Sequence, residues 1–511
     1  MASRSQKALL GLVTDFGGMS ALIIVTFIAT PIILELTSET LYGFWITTIS
    51  ILGYLALTDL GIGMSLTQLI SANSSKGNSS DLNKIISTAF IVFCGLALIF
   101  FISGISLTSF IPVWFKIPEK ESALVISAYK VAIISGALAL PLSIFNSVVV
   151  GYQQMAVMNV SKNIVSIIGV IFSIILLKID IGLVALPLAT LFVVITNSII
   201  AYIYSKKYFK ELKISYSSFD LKVFKKLLSF GGYFQLGRVA NTVALSTDNI
   251  VISIILGAGS VTPYAFTSKL PILFSVALAS KLPVAIFPAM TEMFANNEIE
   301  KLREIYKRLT YFAVRIALIG ATLLFIVNFK FVELWVGPEY YGGNFLNFVF
   351  VLMVIIDTVY RGTTAIVYAS GDLKKWTIAS ILEAILNIII TLILIKPYGL
   401  AGVALGTLIS KILTTGFYTP YWVCKKLKIS INSLFKNSII SPLIRSIPSF
   451  VLTILISDKL QINNGWIWIV VTTLILIITN ILMFEGVALS RNSNDSIIVR
   501  LKRLILMQER Y

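Results

Sequence analysis

The sequence predicts an all-α polytopic membrane protein, and three observations carry that prediction. Over 511 residues the chain is 57% hydrophobic and only 13% charged, with a mean hydropathy of +0.91. A soluble chain of this length needs far more charge to clothe its core. The apolar residues fall in runs close to the ~20 that a helix needs to cross hydrocarbon. The segments between the runs are too short to bury cores of their own.

Taken in order, the runs give about 14 transmembrane helices: 9–34, 41–70, 85–107, 127–150, 160–177, 182–204, 232–256, 266–289, 311–329, 344–369, 377–395, 399–423, 440–458 and 466–489. The first has a basic lead but no small-residue cleavage site, so it reads as a retained span and not a signal peptide. The run 440–458 is interrupted by Pro442, Arg445 and Pro448. Most of the 41 lysines and arginines fall on alternate connecting segments, which by the positive-inside rule puts both termini in the cytoplasm. That distribution accounts for the net charge of +17 without nucleic acid, which would want the cations gathered on one soluble domain.

Composition also narrows the chemistry. The chain has no histidine and two cysteines, far apart, so histidine metal sites, Ser/His nucleophile pairs and a disulfide framework are excluded. No P-loop is present, and no metal or cofactor is expected. The longest connecting segments, about 108–126 and 205–231, cannot hold an enzyme's active-site domain. Function must lie among the helices, and transport follows.

The chain repeats itself. "GLVALPLATL" (182–191) matches "GLAGVALGTL" (399–408), pairing Gly182 with Gly399 and Thr190 with Thr407. "PIILELTSETLYGFW" (31–45) lines up with "SIILGAGSVTPYAFT" (253–267), pairing Tyr42 with Tyr264 and Phe44 with Phe266. Two matches at nearly the same offset, about 220 residues, indicate duplication. The offset covers an even number of spans, so the copies are parallel repeats about an axis along the membrane normal. The expected organisation is an N-terminal six-helix lobe (1–215), a second six-helix lobe (216–430), and an added C-terminal helix pair with a cytoplasmic tail (431–511). The link "SFDLKVFKKLLSFGG" sets Leu221, Phe224 and Leu228 at helical spacing among lysines, the pattern of an amphipathic helix on the inner surface. The tail "SIIVRLKRLILMQERY" has the same character.

Three further stretches carry a family resemblance: "STDNIVISIILG" (246–257), "FPAMTEMFANNEIEKLREIYKR" (287–308) and "GYQQ" (151–154). With the two-lobe plan they resemble the polysaccharide branch of the multidrug/oligosaccharidyl-lipid/polysaccharide exporter superfamily, the Wzx-type flippases. The resemblance covers essentially the full length and implies a function. A repeat unit of O-antigen or capsule, built on undecaprenyl pyrophosphate at the cytoplasmic face of the bacterial inner membrane, would be flipped to the periplasmic face. It implies membrane lipids, a coupling ion (proton or sodium), and polymerase and chain-length proteins as partners. A peptidoglycan lipid-precursor flippase and an ion-coupled small-molecule antiporter of the same superfamily are the alternatives.

A pyrophosphate and its sugars need a wet, positive groove through hydrocarbon, and charges inside spans usually face such a cavity. Lys281, Lys411, Asp59 and the pair Asp357/Arg361 lie nearest mid-membrane, with Arg238 and Asp248 toward the two ends of the seventh span. On that span Gln235, Arg238, Thr242, Ser246, Asn249 and Ser253 recur at helical spacing as one polar stripe. The expected substrate contacts are Arg238, Lys281, Lys411 and Arg361. Asp59, Asp248 and Asp357 are the coupling or cavity carboxylates, and Gln235, Thr242, Ser246 and Asn249 the polar lining. Asp357 and Arg361 stand four apart on one helix and can neutralise each other. Glu383, Asp15 and Glu485 fall nearer the inner surface and are left out of the set.

Overall fold

A computed structural model describes residues 4–54, 59, 61–74, 79–229, 232–275 and 281–490; the basic tail lies outside the described residues. All regular structure among them is helical. The chain divides into two compact units, Met1–Thr262 and Pro263–Tyr511.

The first unit holds α1 (Arg4–Glu35), α2 (Glu39–Gly53), α3 (Ile62–Ser74), α4 (Ser79–Ser106), α5 (Glu119–Gly151), α6 (Met155–Lys178), α7 (Ala185–Tyr208), α8 (Leu221–Ser229) and α9 (Gly232–Ile255). α5 is its centre and packs against α3, α4 and α7, while α1 lies on α6 and α9 on α2. Local chemistry sets the boundaries. Ser38 caps α2 by accepting from the Leu41 amide at 3.2 Å, satisfying one of the donors a helix start leaves free. One group of fully buried side chains joins Ile62, Leu66, Ile86, Phe93, Ile144 and Val148; a second joins Phe44, Ile111, Val125, Tyr129 and Leu183.

The expected amphipathic link is fastened to this unit through backbone atoms. Asn83 on α4 donates to the Glu211 carbonyl at 2.8 Å and accepts from the Lys213 amide at 2.9 Å. Asp220 caps α8, accepting from the amides of Lys222 (2.7 Å) and Val223 (3.2 Å), and sits 3.4 Å from Lys84. Those two amides, with Lys84, hold the Asp220 carboxyl below the usual carboxylate range. Leu227 of α8 is buried, whereas Leu221 and Leu228 stay exposed.

The second unit holds α10, which begins at the boundary (Val261–Phe274), α11 (Lys281–Ala295), α12 (Ile299–Trp335), α13 (Asn344–Ser370), α14 (Leu373–Leu413), α15 (Thr415–Lys426), α16 (Ser441–Ser457) and α17 (Gly465–Ser490). α13 packs against α11, α12, α14 and α15. The added pair α16 and α17 joins through hydroxyls, Ser449 to Thr479 at 3.0 Å and Thr453 to Thr479 at 3.3 Å, and both helices rest on α12. Hydroxyl contacts of this kind hold helices together where lipid removes the hydrophobic drive for association.

Two details decide what the second unit can position. α14 is two arms of a hairpin, because Gly399 has φ 54° and ψ −133°, a backbone state that side chains disfavour. The arms touch closely enough that a Cβ on Gly402 would stand 2.1 Å from the Leu394 carbonyl oxygen. The second arm then stops at Thr414 (φ −117°, ψ −101°), after which α15 continues.

Ten helical segments among the described residues are long and apolar enough to cross a membrane. The segment 373–426 contains two of the crossings read from sequence, divided at Gly399. The expected crossings 41–70 and 266–289 begin in the shorter helices α2 and α10, and 232–256 is the more polar α9. The chain is a multi-pass membrane protein.

Helix starts recur near the offset of the two sequence matches. Helices begin at Glu39 and Val261, at Ser79 and Ile299, at Glu119 and Asn344, and at Met155 and Leu373, four pairs near the sequence offset. Gly182, the partner of Gly399, also has positive φ, at 66°.

Candidate functional site

Four charges inside the second unit meet where α13 and α14 pack beside the start of α15. The Lys411 ammonium donates to Asp357 Oδ1 and lies 4.0 Å from Glu383 Oε1. The other Glu383 oxygen accepts from the Thr415 hydroxyl, the first residue after the break at Thr414. Tyr360 closes one side, its ring 5.9 Å from the ammonium and its hydroxyl accepting from Trp376 Nε1 at 2.7 Å. The side chains of Lys411 and Glu383 are each 12% exposed.

Chain geometry explains the meeting. Asn387 on the first arm of α14 donates to Thr407 on the second at 2.7 Å. Glu383 and Lys411 are one helical turn further along each arm, so they oppose each other in the same register. α13 lies across both arms and presents Asp357.

Arg361 behaves differently. It follows Asp357 by one turn on α13, yet Asp357 turns to Lys411. Among the described residues no carboxylate lies within ion-pairing distance of Arg361, and its Nε is buried with no hydrogen-bond partner. A buried donor left unmatched costs about 1–3 kcal/mol. Of the four charges here, three are committed to one another and one guanidinium keeps free donors.

A second group lies in the first unit. Asp59 precedes α3 and accepts from the Gly63 amide at 2.9 Å, with Arg238 near enough to act on its charge. Gln235 is buried and reaches within 3.3 Å of the Cβ position of Gly61, whose φ is +78°. Further along α9, Asn249 donates to Ser50 at 3.0 Å, and Thr247 shares a 2.6 Å hydrogen bond with Tyr54. Ser246 Oγ lies 3.1 Å from the Cβ position of Gly53. Asp248 is buried, near Tyr54. Thr242 is half-buried and Arg238 is exposed.

Of the residues read from sequence, the structure thus brings together Asp357, Arg361 and Lys411 in one unit, and Asp59, Gln235 and Arg238 in the other. Ser246 and Asn249 of the polar stripe meet α2. Lys281 opens α11, but its side chain lies outside the described residues. Sequence reasoning passed over Glu383, Thr415 and Tyr360. The Asn387/Thr407 pairing across the Gly399 turn is the signal that finds Glu383.

Long apolar helices with charges paired between them are the build of a polytopic membrane protein, and solved structures show which fold it is. The fold is similar to that of "Lipid II flippase MurJ, inward closed conformation" (TM-score 0.67, 16% identity, 92% of this chain and 99% of that one). It is also similar to an inward-facing multidrug MATE family transporter (TM-score 0.61, 16% identity, 81% and 99%). Within that class the chain belongs to the polysaccharide biosynthesis protein family, which it matches over residues 16–294. A "Putative O-antigen transporter" of Shigella flexneri is 23% identical over 385 residues, 73% of this chain and 87% of the relative.

Proposed function

We propose that the protein flips undecaprenyl-pyrophosphate-linked oligosaccharide repeat units, of O-antigen or capsule, from the cytoplasmic to the periplasmic face of the bacterial inner membrane, with both termini in the cytoplasm. The observation that carries this reading is membership of the polysaccharide biosynthesis family, joined to a relative named for O-antigen transport that matches along most of both chains. In this reading the prenyl tail stays in lipid while Arg238, Lys281 and Arg361 supply a positive field for the pyrophosphate, which offsets its desolvation, and Lys411 is held by Asp357 and Glu383. Asp59 and Asp248 balance those cations or bind a coupling proton or sodium ion, and Asp357 neutralises Lys411. Gln235, Thr242, Ser246 and Asn249 give the polar surface. These groups are carried on the two six-helix lobes expected from the sequence, 1–215 and 216–430, with 431–511 appended. The protein is a carrier and not an enzyme.

Deleting this gene alone should abolish surface polysaccharide, and plasmid-borne wild type should restore it. Arg238→Glu and Arg361→Glu should fail to restore it at normal membrane abundance, because a carboxylate adds repulsion of the pyrophosphate to the lost attraction. Unchanged display after deletion contradicts the function. Full restoration by both variants contradicts the positive field.

A further inference from the structure

We propose that Arg361 is the residue of the second unit that grips the substrate's oxyanion, and that Lys411 beside it is a positioning residue whose charge belongs to Asp357 and Glu383. The inference rests on the transport reading above and divides the labour among charges that the sequence groups together.

The geometry separates the two cations. Lys411 donates to Asp357 and stands 4.0 Å from Glu383, whose far oxygen is taken by Thr415. An ammonium held between two carboxylates and against the Tyr360 ring has little left to offer an incoming anion. Arg361 is close enough for the Lys411 charge to repel it, yet among the described residues it has no carboxylate of its own and its buried Nε is unmatched. Its guanidinium presents a planar fork of donors suited to two oxygens of one phosphate or carboxylate group. The neighbouring triad, with one cation and two carboxylates, sums to one negative charge. Arg361 balances it at rest without touching it, so an anion can bind the arginine without first breaking an ion pair.

The ligand chemistry is an oxyanion, supplied either by the pyrophosphate of the lipid carrier or by an acidic sugar of the repeat unit. The test uses the full-length protein in lipid nanodiscs, titrated calorimetrically with inorganic pyrophosphate and, separately, with glucuronate. Wild type should bind at least one of them, and the one bound names the source. Arg361→Ala should weaken that binding by about tenfold or more, the loss of a charged bidentate contact, and Arg361→Lys should recover part of it. The variant Lys411→Met/Asp357→Asn/Glu383→Gln, which removes the triad's charges together, should bind as tightly as wild type or tighter. Should that protein not fold, Lys411→Met/Asp357→Asn takes its place with the same expectation. Binding unchanged in Arg361→Ala, binding lost when the triad is neutralised, or no binding of either probe by wild type would overturn the proposal. Transport is read separately by polysaccharide display. Arg361-dependent binding in a protein dispensable for display refutes the transport reading and leaves the site. A protein needed for display that binds neither probe does the reverse.

Discussion

Lys411→Ala should destabilise the folded chain by roughly 3–5 kcal/mol, the cost of removing one partner from a buried ion pair and stranding the other. From sequence alone the same change looks harmless to insertion and abundance, though not to transport, since removing a charge from a span does not raise its insertion cost. The structure reverses that expectation because the charge does not stand alone. Without the ammonium, Asp357 and Glu383 face each other across α13 and α14 with no cation bonded to either, and the Thr415 hydroxyl cannot neutralise two carboxylates. The measurement is thermal unfolding of purified protein in detergent. Lys411→Ala should show a clear fall in Tm, and adding Asp357→Asn and Glu383→Gln should restore most of it. A Tm equal to wild type for Lys411→Ala would mean the three groups are not mutually committed.

Gly402→Ala should be the most damaging single-methyl change in the second unit. Its Cβ would stand 2.1 Å from the Leu394 carbonyl oxygen and 2.9 Å from the Ile395 nitrogen. Those are backbone atoms that cannot rotate away as a side-chain tip can. The arms of α14 must part, which strains the Asn387–Thr407 bond and, one turn on, the approach of Lys411 to Glu383. Overpacking typically costs about 1–3 kcal/mol and can exceed it; here it also disturbs an ion network. Gly95→Ala, with nothing within 4 Å of its Cβ position, is the control and should gain slightly, as alanine replaces glycine in a helix. Equal membrane abundance and Tm for the two variants would contradict the close hairpin.

Much of this architecture is legible in the chain because lipid simplifies the code. A crossing must be helical and apolar, so hydropathy and length locate most elements, and the Gly182/Gly399 match locates two turns with positive φ. Where helices stop inside an apolar run is less legible. The start of α3 at Ile62 lies inside 41–70, read from sequence as one crossing, and Asp59 caps that start by accepting from the Gly63 amide. The stop at Thr414 is announced only by Gly416 two residues on, where a Cβ would stand 2.8 Å from the Lys411 carbonyl oxygen, and nothing in the sequence joins Thr415 to Glu383. Counting depth along a straight span left Glu383 near the surface; only the hairpin register places it opposite Lys411. The polar stripe on α9 is visible as a stripe, but its partners Ser50 and Gly53 belong to a helix far away in sequence, and no periodicity reveals such a pairing.

The central claim, that this protein carries a lipid-linked oligosaccharide across the membrane, is tested most directly by reconstitution. Proteoliposomes containing the purified chain would be loaded with fluorescent undecaprenyl-pyrophosphate oligosaccharide of the cell's own repeat unit. Exposure of the label to an external quencher would then be followed under imposed proton and sodium gradients in turn. The account predicts flipping well above that of protein-free liposomes under at least one gradient, and loss of that excess in Arg361→Ala at equal reconstitution. Flipping by wild type no faster than the protein-free rate under every gradient would contradict it.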